Sequence, residues 1–167
     1  MSDYSKIAFI SIGSNLGNSR ENVLKAIDIL TSYSTKRPLI SSLWKTEPLD
    51  CPPGSPEFIN AVIGIYPHTG ETPESLLEKL LNLEKTFGRM AKKILNEPRP
   101  LDLDLITFGY EIRNTDRIVI PHPRATIRAF VLAPLNEIAP DFVFPKQHKT
   151  VIQLVLDLPP QKIEKLQ

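Results

Sequence analysis

Leu101-Asp102-Leu103-Asp104-Leu105-Ile106-Thr107-Phe108 opens with strict alternation of apolar and acidic residues, the pattern of a β-strand with one face against a core. Its leucines point one way and both aspartates the other. Upstream, Thr72-Pro73 reads as a cap followed by a first-turn proline. Leu76, Leu80, Leu83 and Phe87 then fall on one helical face, and Gly88 supplies the stop. Further back, Leu39 to Thr46 and Phe58 to Tyr66 carry strand-type residues, separated by a proline-rich segment too long for a tight hairpin. Val23, Ile27 and Leu30 recur at helical spacing after an Asn18 or Ser19 cap, which predicts a helix ending near Tyr33. Ile7 to Ile12 reads as a buried first strand ending in the turn Gly13-Ser14-Asn15-Leu16-Gly17-Asn18. Downstream, Arg117 to Ile120 reads as a short strand, Thr126 to Ala133 and Thr150 to Leu156 as short helices, and the residues beyond Pro159 as a solvated tail.

The order strand, helix, strand, strand, helix, strand predicts an α+β fold of the ferredoxin-like kind. The expected sheet is four-stranded and largely antiparallel, with helices covering one face and an extra short hairpin. One domain over residues 1–158 with a tail over 159–167 is expected, since 167 residues at 41% apolar content suit a single core.

Charge and composition exclude several classes. Twenty basic against nineteen acidic residues leave a net charge of +1, so no global field draws the chain to nucleic acid or membrane, and any positive patch is local. The sequence also lacks the aromatic K/R-G-F-G-F-type strand of an RNA-binding ferredoxin-like module. No apolar run is long enough for a membrane span and no leader pattern precedes Ile7. Lone Cys51 has no internal disulfide partner and no role is expected for it. A cytoplasmic, soluble protein is the expectation. Sixteen prolines, clustered at Pro48–Pro56, Pro98–Pro100, Pro121–Pro123 and Pro159–Pro160, mark the loops.

Asp102 and Asp104 on one strand face stand about 6–7 Å apart at strand rise, a spacing from which two carboxylates reach a pair of Mg2+ ions about 3.5–4 Å apart. Hard divalent cations take such oxygen ligands. An amphipathic edge strand with two solvated aspartates has the same pattern. The basic stretch from Gly88 to Pro100, which includes Arg89, Lys92, Lys93 and Arg99, is delivered to the same strand end. A magnesium-bound polyphosphate needs both kinds of charge, although arginines simply pairing with the aspartates would look alike. The P-loop and the protein-kinase motif set are both missing. His122 sits in a proline-flanked turn from which it can reach a phosphate oxygen, and no histidine has zinc-site spacing. Phe58 and Asn60 share a strand face, as a flat heteroaromatic ligand requires and as a core Phe beside a structural Asn also would.

Taken in order, Gly13-Ser14-Asn15-Leu16-Gly17, Thr46-Glu47-Pro48, Phe58-Ile59-Asn60-Ala61, Glu84 with Gly88-Arg89, Pro98-Arg99-Pro100-Leu101-Asp102-Leu103-Asp104-Leu105, Pro121-His122-Pro123 and Arg128-Ala129-Phe130 resemble the 6-hydroxymethyl-7,8-dihydropterin pyrophosphokinases. The run P-R-x-L-D-L-D-L is the most specific piece. The resemblance implies pyrophosphoryl transfer from ATP to the hydroxymethyl group of the pterin, releasing AMP, as a step of folate synthesis. It implies that Asp102 and Asp104 hold two Mg2+ ions, and that Arg89, Arg99, Asp102, Asp104 and His122 are catalytic. Glu84, Arg89, Arg99, Leu105, Arg117, His122 and Arg128 would contact ATP; Thr46, Glu47, Leu49, Phe58, Asn60 and Phe130 would hold the pterin. Partners would be small molecules only, with the chain a monomer. The Pro-rich loops near 47–57 and 89–99 would be lids. In the second, Asn96 and Glu97 stand where many members carry tryptophan and glycine, and Ala91 where a second arginine is common. Slower turnover or weaker ATP binding is expected from that loop. A pterin- or nucleotide-binding protein without catalysis is the competing reading.

Overall fold

The structure, a computed structural model, describes residues 2–48, 51–88 and 97–166. Along the chain come β1 (Ala8–Ser14), α1 (Ser19–Ser32), β2 (Leu39–Ile40), β3 (Trp44–Thr46), β4 (Phe58–Ile65), α2 (Pro73–Thr86), β5 (Asp102–Phe108), β6 (Arg113–Asn114), β7 (Val119–Ile120), a 3-10 turn (Ala125–Ile127), α3 (Ala129–Ile138), α4 (Val151–Asp157) and β8 (Ile163–Lys165). Among the described residues the main sheet runs β5-β1-β4-β3-β8 with β2 beside β4, every pairing antiparallel. The predicted ferredoxin-like core is therefore present, and β6 and β7 form the extra hairpin.

Local signals account for the first two helices. Asn18 caps α1 by accepting from the Glu21 amide. Thr72 and Ser75 form a reciprocal capping box at α2, followed by Pro73 in its first turn. Val23, Ala26, Ile27 and Leu30 of α1 and Leu76, Leu80 and Leu83 of α2 pack on Ala8, Ile10, Ile12, Ala61, Ile63, Ile65, Leu103 and Leu105. These sheet residues are alternate positions of β1, β4 and β5, as period-two geometry requires.

Four expectations need correction. Helices were expected on one face only, yet α3 and α4 cover part of the other, where Phe9, Val62 and Ile106 pack with Val131, Leu132, Leu135, Phe142 and Phe144. Tyr4, Phe9 and Phe142 form an aromatic knot there. The helix expected over Thr126–Ala133 instead begins at Ala129 and continues to Ile138 through Pro134. Burial of Val131, Leu132 and Leu135 contributes about 1.5–3 kcal/mol each, which outweighs a proline penalty of about 3 kcal/mol. The tail beyond Pro159 is not merely solvated: β8 pairs with β3, with Thr46 opposite Ile163. The expected second strand is also broken into β2 and β3, with Ser41 between them bonding both ways to Val62.

Among the described residues no helix is long and apolar enough to cross a membrane. The α2 register is open to test. Leu80 is fully buried and its neighbour Leu81 is 47% exposed, so Leu80→Ala should cost about 2–5 kcal/mol and Leu81→Ala less than about 0.5 kcal/mol in urea denaturation. Equal losses would contradict this packing.

Candidate active site

The second face of the sheet has two halves. At one end Phe9, Val62 and Ile106 meet α3 and α4; at the other the same alternation brings Ser11, Gly13, Thr46, Phe58, Asn60, Asp102 and Asp104 to the surface that α3 leaves uncovered. Register fixes the neighbours: Gly13 lies opposite both Asn60 and Asp102, Ser11 opposite Asp104, and Thr46 opposite Phe58. A Cβ on Gly13 would stand 2.9 Å from Asn60 Oδ1 and 3.5 Å from the Phe58 ring, so only glycine lets these two side chains lie across β1. Asn60 Nδ2 donates to Thr46 Oγ1 at 2.8 Å, which fixes the orientation of its amide.

Asp102 and Asp104 keep 25% and 30% of their side-chain surface exposed. Behind them Glu84, buried on α2, accepts from the Leu103 amide at 2.7 Å and thereby satisfies a donor on the outer edge of β5. Burial, then the neighbouring Asp102 carboxylate, with a further push from Glu84, raises the Asp104 pKa to about 7; Arg128 and Arg99 oppose the rise. His122 Nε2 lies 4.0 Å from Asp104 Oδ1. Burial first, then Arg128, lowers the His122 pKa to about 4. Its Nδ1 accepts from the Arg124 amide at 3.2 Å, so the neutral ring carries its proton on Nε2 and presents a donor beside Asp104.

Arg99 is aimed at the pair by the turn after β1. Asn15, buried, accepts from the Arg99 amide at 2.9 Å and donates to Pro56 O at 3.2 Å, while its own amide donates to Arg99 O at 3.1 Å. Asn22 Nδ2 donates to Pro100 O at 3.2 Å. The Arg99 guanidinium then lies with Nε 3.5 Å from Asp102 and its centre 5.3 Å from the Phe58 ring centroid. Arg128 sits likewise over Phe130 at 5.2 Å, and burial lowers its pKa.

Two cavities meet at the aspartates. The larger, about 780 Å³, is lined by Thr46, Glu47, Phe58 and Asn60 on one side and Arg128, Ala129 and Phe130 on another, with Arg99 and Asp102 between and Gln161 to Ile163 closing it. The smaller, about 230 Å³, is lined by Leu77, Leu105, Ile118 and Arg117 together with Asp104 and His122. Arg117 is exposed and pairs with Glu78 at 3.6 Å. Of the predicted site residues, Arg89 and Leu49 lie outside the described residues, as does most of the basic stretch at 89–96. Glu47 is exposed at the rim and pairs with Lys162 at 3.4 Å. Sequence reading missed Asn15, Asn22, Arg124 and Gln161, and gave no place to Cys51, which lines the larger cavity.

Among the described residues no cluster of three or more acidic, histidine or cysteine ligands forms. An oxygen-only pair of carboxylates, one of them with its pKa raised to about 7 by burial and by its neighbour's charge, nonetheless suits Mg2+, which takes one or two carboxylates and completes its shell with water and phosphate. The pKa shifts also set stability. Between the unfolded value of 3.8 and about 7 the folded protein binds more protons at Asp104, so stability falls as pH rises through that window and the full cost stands above it. His122 acts oppositely, its contribution being lost as pH falls from 6.5 to about 4. In metal-free protein, Asp104→Asn should therefore raise Tm at pH 8, at about 2–4 °C per kcal/mol, and raise it less at pH 5. A lowered Tm at pH 8 would contradict the assignment.

Residues 9–140 match the family described as 7,8-dihydro-6-hydroxymethylpterin-pyrophosphokinase (HPPK). The 2-amino-4-hydroxy-6-hydroxymethyldihydropteridine pyrophosphokinase of Haemophilus influenzae is 36% identical over 160 residues, 95% of this chain and 97% of that protein. Its counterpart in Synechocystis is 38% identical over 148 residues, 89% of this chain and 74% of the relative. The folic acid synthesis protein fol1 of Pneumocystis carinii is 40% identical over 137 residues, which are 82% of this chain; the chain spans 18% of fol1. A Plasmodium falciparum HPPK-DHPS solved with pterin and p-hydroxybenzoate superposes with a TM-score of 0.63 at 12% identity, over 92% of this chain and 43% of that one, a likeness of fold. With a profile match that takes in β1 through α3 and relatives matched over most of their length, the chain belongs to the 7,8-dihydro-6-hydroxymethylpterin-pyrophosphokinase family.

Proposed function

We propose that the chain transfers the diphosphoryl group of ATP to the hydroxymethyl oxygen of 6-hydroxymethyl-7,8-dihydropterin, releasing AMP, as a step of tetrahydrofolate biosynthesis. The observation that carries this reading is the position of Asp102 and Asp104 between two cavities of different character. The larger is lined by two aromatic side chains, Phe58 and Phe130, and a fixed amide, suited to a flat bicyclic ligand; the smaller has apolar walls with an arginine, suited to a nucleoside. Membership of the pyrophosphokinase family supports a pterin in the first and ATP in the second.

In this reading Phe58 and Phe130 hold the pterin, with Asn60 and Thr46 at its polar edge and Glu47 and Leu49 at the loop beside it. ATP lies across Leu105, Arg117, Asp104 and His122, and Glu84 acts through the Leu103 amide rather than by touching the nucleotide. Asp102 and Asp104 would hold two Mg2+ ions, which when bound supply the positive charge that a polyphosphate and two carboxylates both require. The pterin oxygen bonds to the β-phosphorus, the bond from that phosphorus to the α-phosphate oxygen breaks, the hydroxyl proton is lost and AMP departs. Arg99 and Arg128 neutralise the charge on the transferring group, a role the resemblance extends to Arg89, and neutral His122 donates through Nε2–H to a phosphate oxygen. Such transfer needs placement and charge neutralisation more than a covalent intermediate. The expected setting is a cytoplasmic monomer acting on small molecules.

The test is AMP formation from ATP and Mg2+ with and without the pterin. Pterin-dependent AMP is expected; ADP would indicate another kinase, and neither product with retained pterin binding would indicate a non-catalytic binder. Asp102→Ala should lower kcat by about a hundredfold or more while urea denaturation changes by less than about 1 kcal/mol. Normal turnover in that variant would remove the metal assignment. In the wild type, Mg2+ with ATP should raise Tm, an effect that Asp104→Asn should abolish.

A further inference from the structure

One wall of the larger cavity comes from the C-terminal segment, with Gln161, Lys162 and Ile163 facing it. The segment is fastened to the sheet side of the site: β8 pairs with β3, the Leu166 amide donates to Leu43 O at 2.8 Å, and Lys162 pairs with Glu47. Among the described residues, its hydrogen bonds to the Arg128–Phe130 wall come from one side chain. Gln161 Oε1 accepts from the Ala129 amide at 3.0 Å, and Gln161 Nε2 donates to Ile127 O at 3.1 Å. These backbone groups stand on either side of Arg128, immediately before Phe130.

The pairing answers a local deficiency. Ala129 is the first residue of α3, and Arg128 at its cap makes no side-chain capping bond. An amide there needs a partner from elsewhere, and Gln161 supplies it from 32 positions away. The same side chain thus caps α3 and ties the Arg128–Phe130 wall to the strand that holds the opposite wall, Thr46 with Phe58 and Asn60.

We propose that Gln161 is a positioning residue for pterin binding: by clamping the backbone on both sides of Arg128 it sets the separation between the Phe130 and Phe58 walls. The proposal rests on the pterin reading above. Of the groups assigned to transfer, Asp102 and Asp104 are held by β5 and Arg99 by Asn15, independently of the clamp; Arg128 alone lies between its two bonds. Loss of the clamp therefore acts chiefly on pterin affinity and reaches the transfer step only through Arg128.

The experiment compares wild type, Gln161→Ala and Gln161→Glu by steady-state AMP formation and by equilibrium titration of the pterin. For Gln161→Ala the pterin KM and Kd should rise about five- to tenfold, the size expected for a lost cap, with the ATP KM within about twofold and kcat falling by less than the pterin affinity. Gln161→Glu keeps an acceptor for the Ala129 amide but loses the donor to Ile127, and should recover part of the loss. Unchanged pterin constants in Gln161→Ala would overturn the proposal, as would a parallel fall in kcat and in both affinities together with Tm. Absence of pterin-dependent AMP from the wild type in the same assay would instead overturn the reading on which it rests, and the clamp with it.

Discussion

Everything in the site follows from two carboxylates held side by side on one face of β5. Burial removes much of the water that would stabilise the Asp104 charge, and the Asp102 carboxylate beside it repels that charge further; the rise of the Asp104 pKa to about 7 is the result. The strand cannot relax to separate them. Leu101, Leu103 and Leu105 on its opposite face are buried under α1 and α2, and rotating the aspartates apart would lift those leucines out of the core. At about 1.5–3 kcal/mol per buried side chain, core burial holds the pair in place. Glu84 completes the arrangement by bonding the Leu103 amide between them, which fixes the strand edge and adds a further negative charge behind Asp104.

That constraint explains why one sheet face is divided. A face wholly covered by α3 and α4 would bury the aspartates without partners, and a face left wholly open would expose Phe9, Val62 and Ile106. The boundary is drawn by side-chain size along β1, where Phe9 packs against Phe142, Ser11 is small and Gly13 has no side chain at all. Gly13 makes room for Phe58 and Asn60 to cross toward β5. The change from core to cavity thus takes place along successive inward positions of a single strand.

Much of this was legible in sequence because it is local. Period-two alternation placed both aspartates on one face, and helical spacing with caps placed α1 and α2. The ordered motifs indicated the family that the profile match and the relatives then bore out. What could not be read depends on contacts between residues far apart in the chain. The Asn15 side chain bonds Arg99 and Pro56, 84 and 41 positions away, and a turn asparagine gives no local sign of that. α3 runs through Pro134 because its apolar face has Phe9 and Val62 to cover, and proline rules alone would stop it. Gln161 and β8 fell in a stretch that is polar and proline-led, the usual composition of a solvated tail, and their order comes from pairing with β3.

A net charge of +1 over the whole chain hides a strongly organised local field. Arg99, Arg124 and Arg128 line the larger cavity beside Asp102, burial and Asp102 raise the Asp104 pKa to about 7, and His122 is neutral with its Nε2 4.0 Å from Asp104. A polyanion brought to this place meets guanidinium groups and a neutral donor on one side. On the other it meets carboxylates that repel it unless a divalent cation accompanies it. The same carboxylates would therefore discriminate against a metal-free polyphosphate while favouring its magnesium complex, because only the complex brings the charge that Asp104 lacks. In the proposed reaction a requirement for the cation would be a property of how β5 is packed: the leucines that hold the aspartates together also create the charge deficit that the cation would fill.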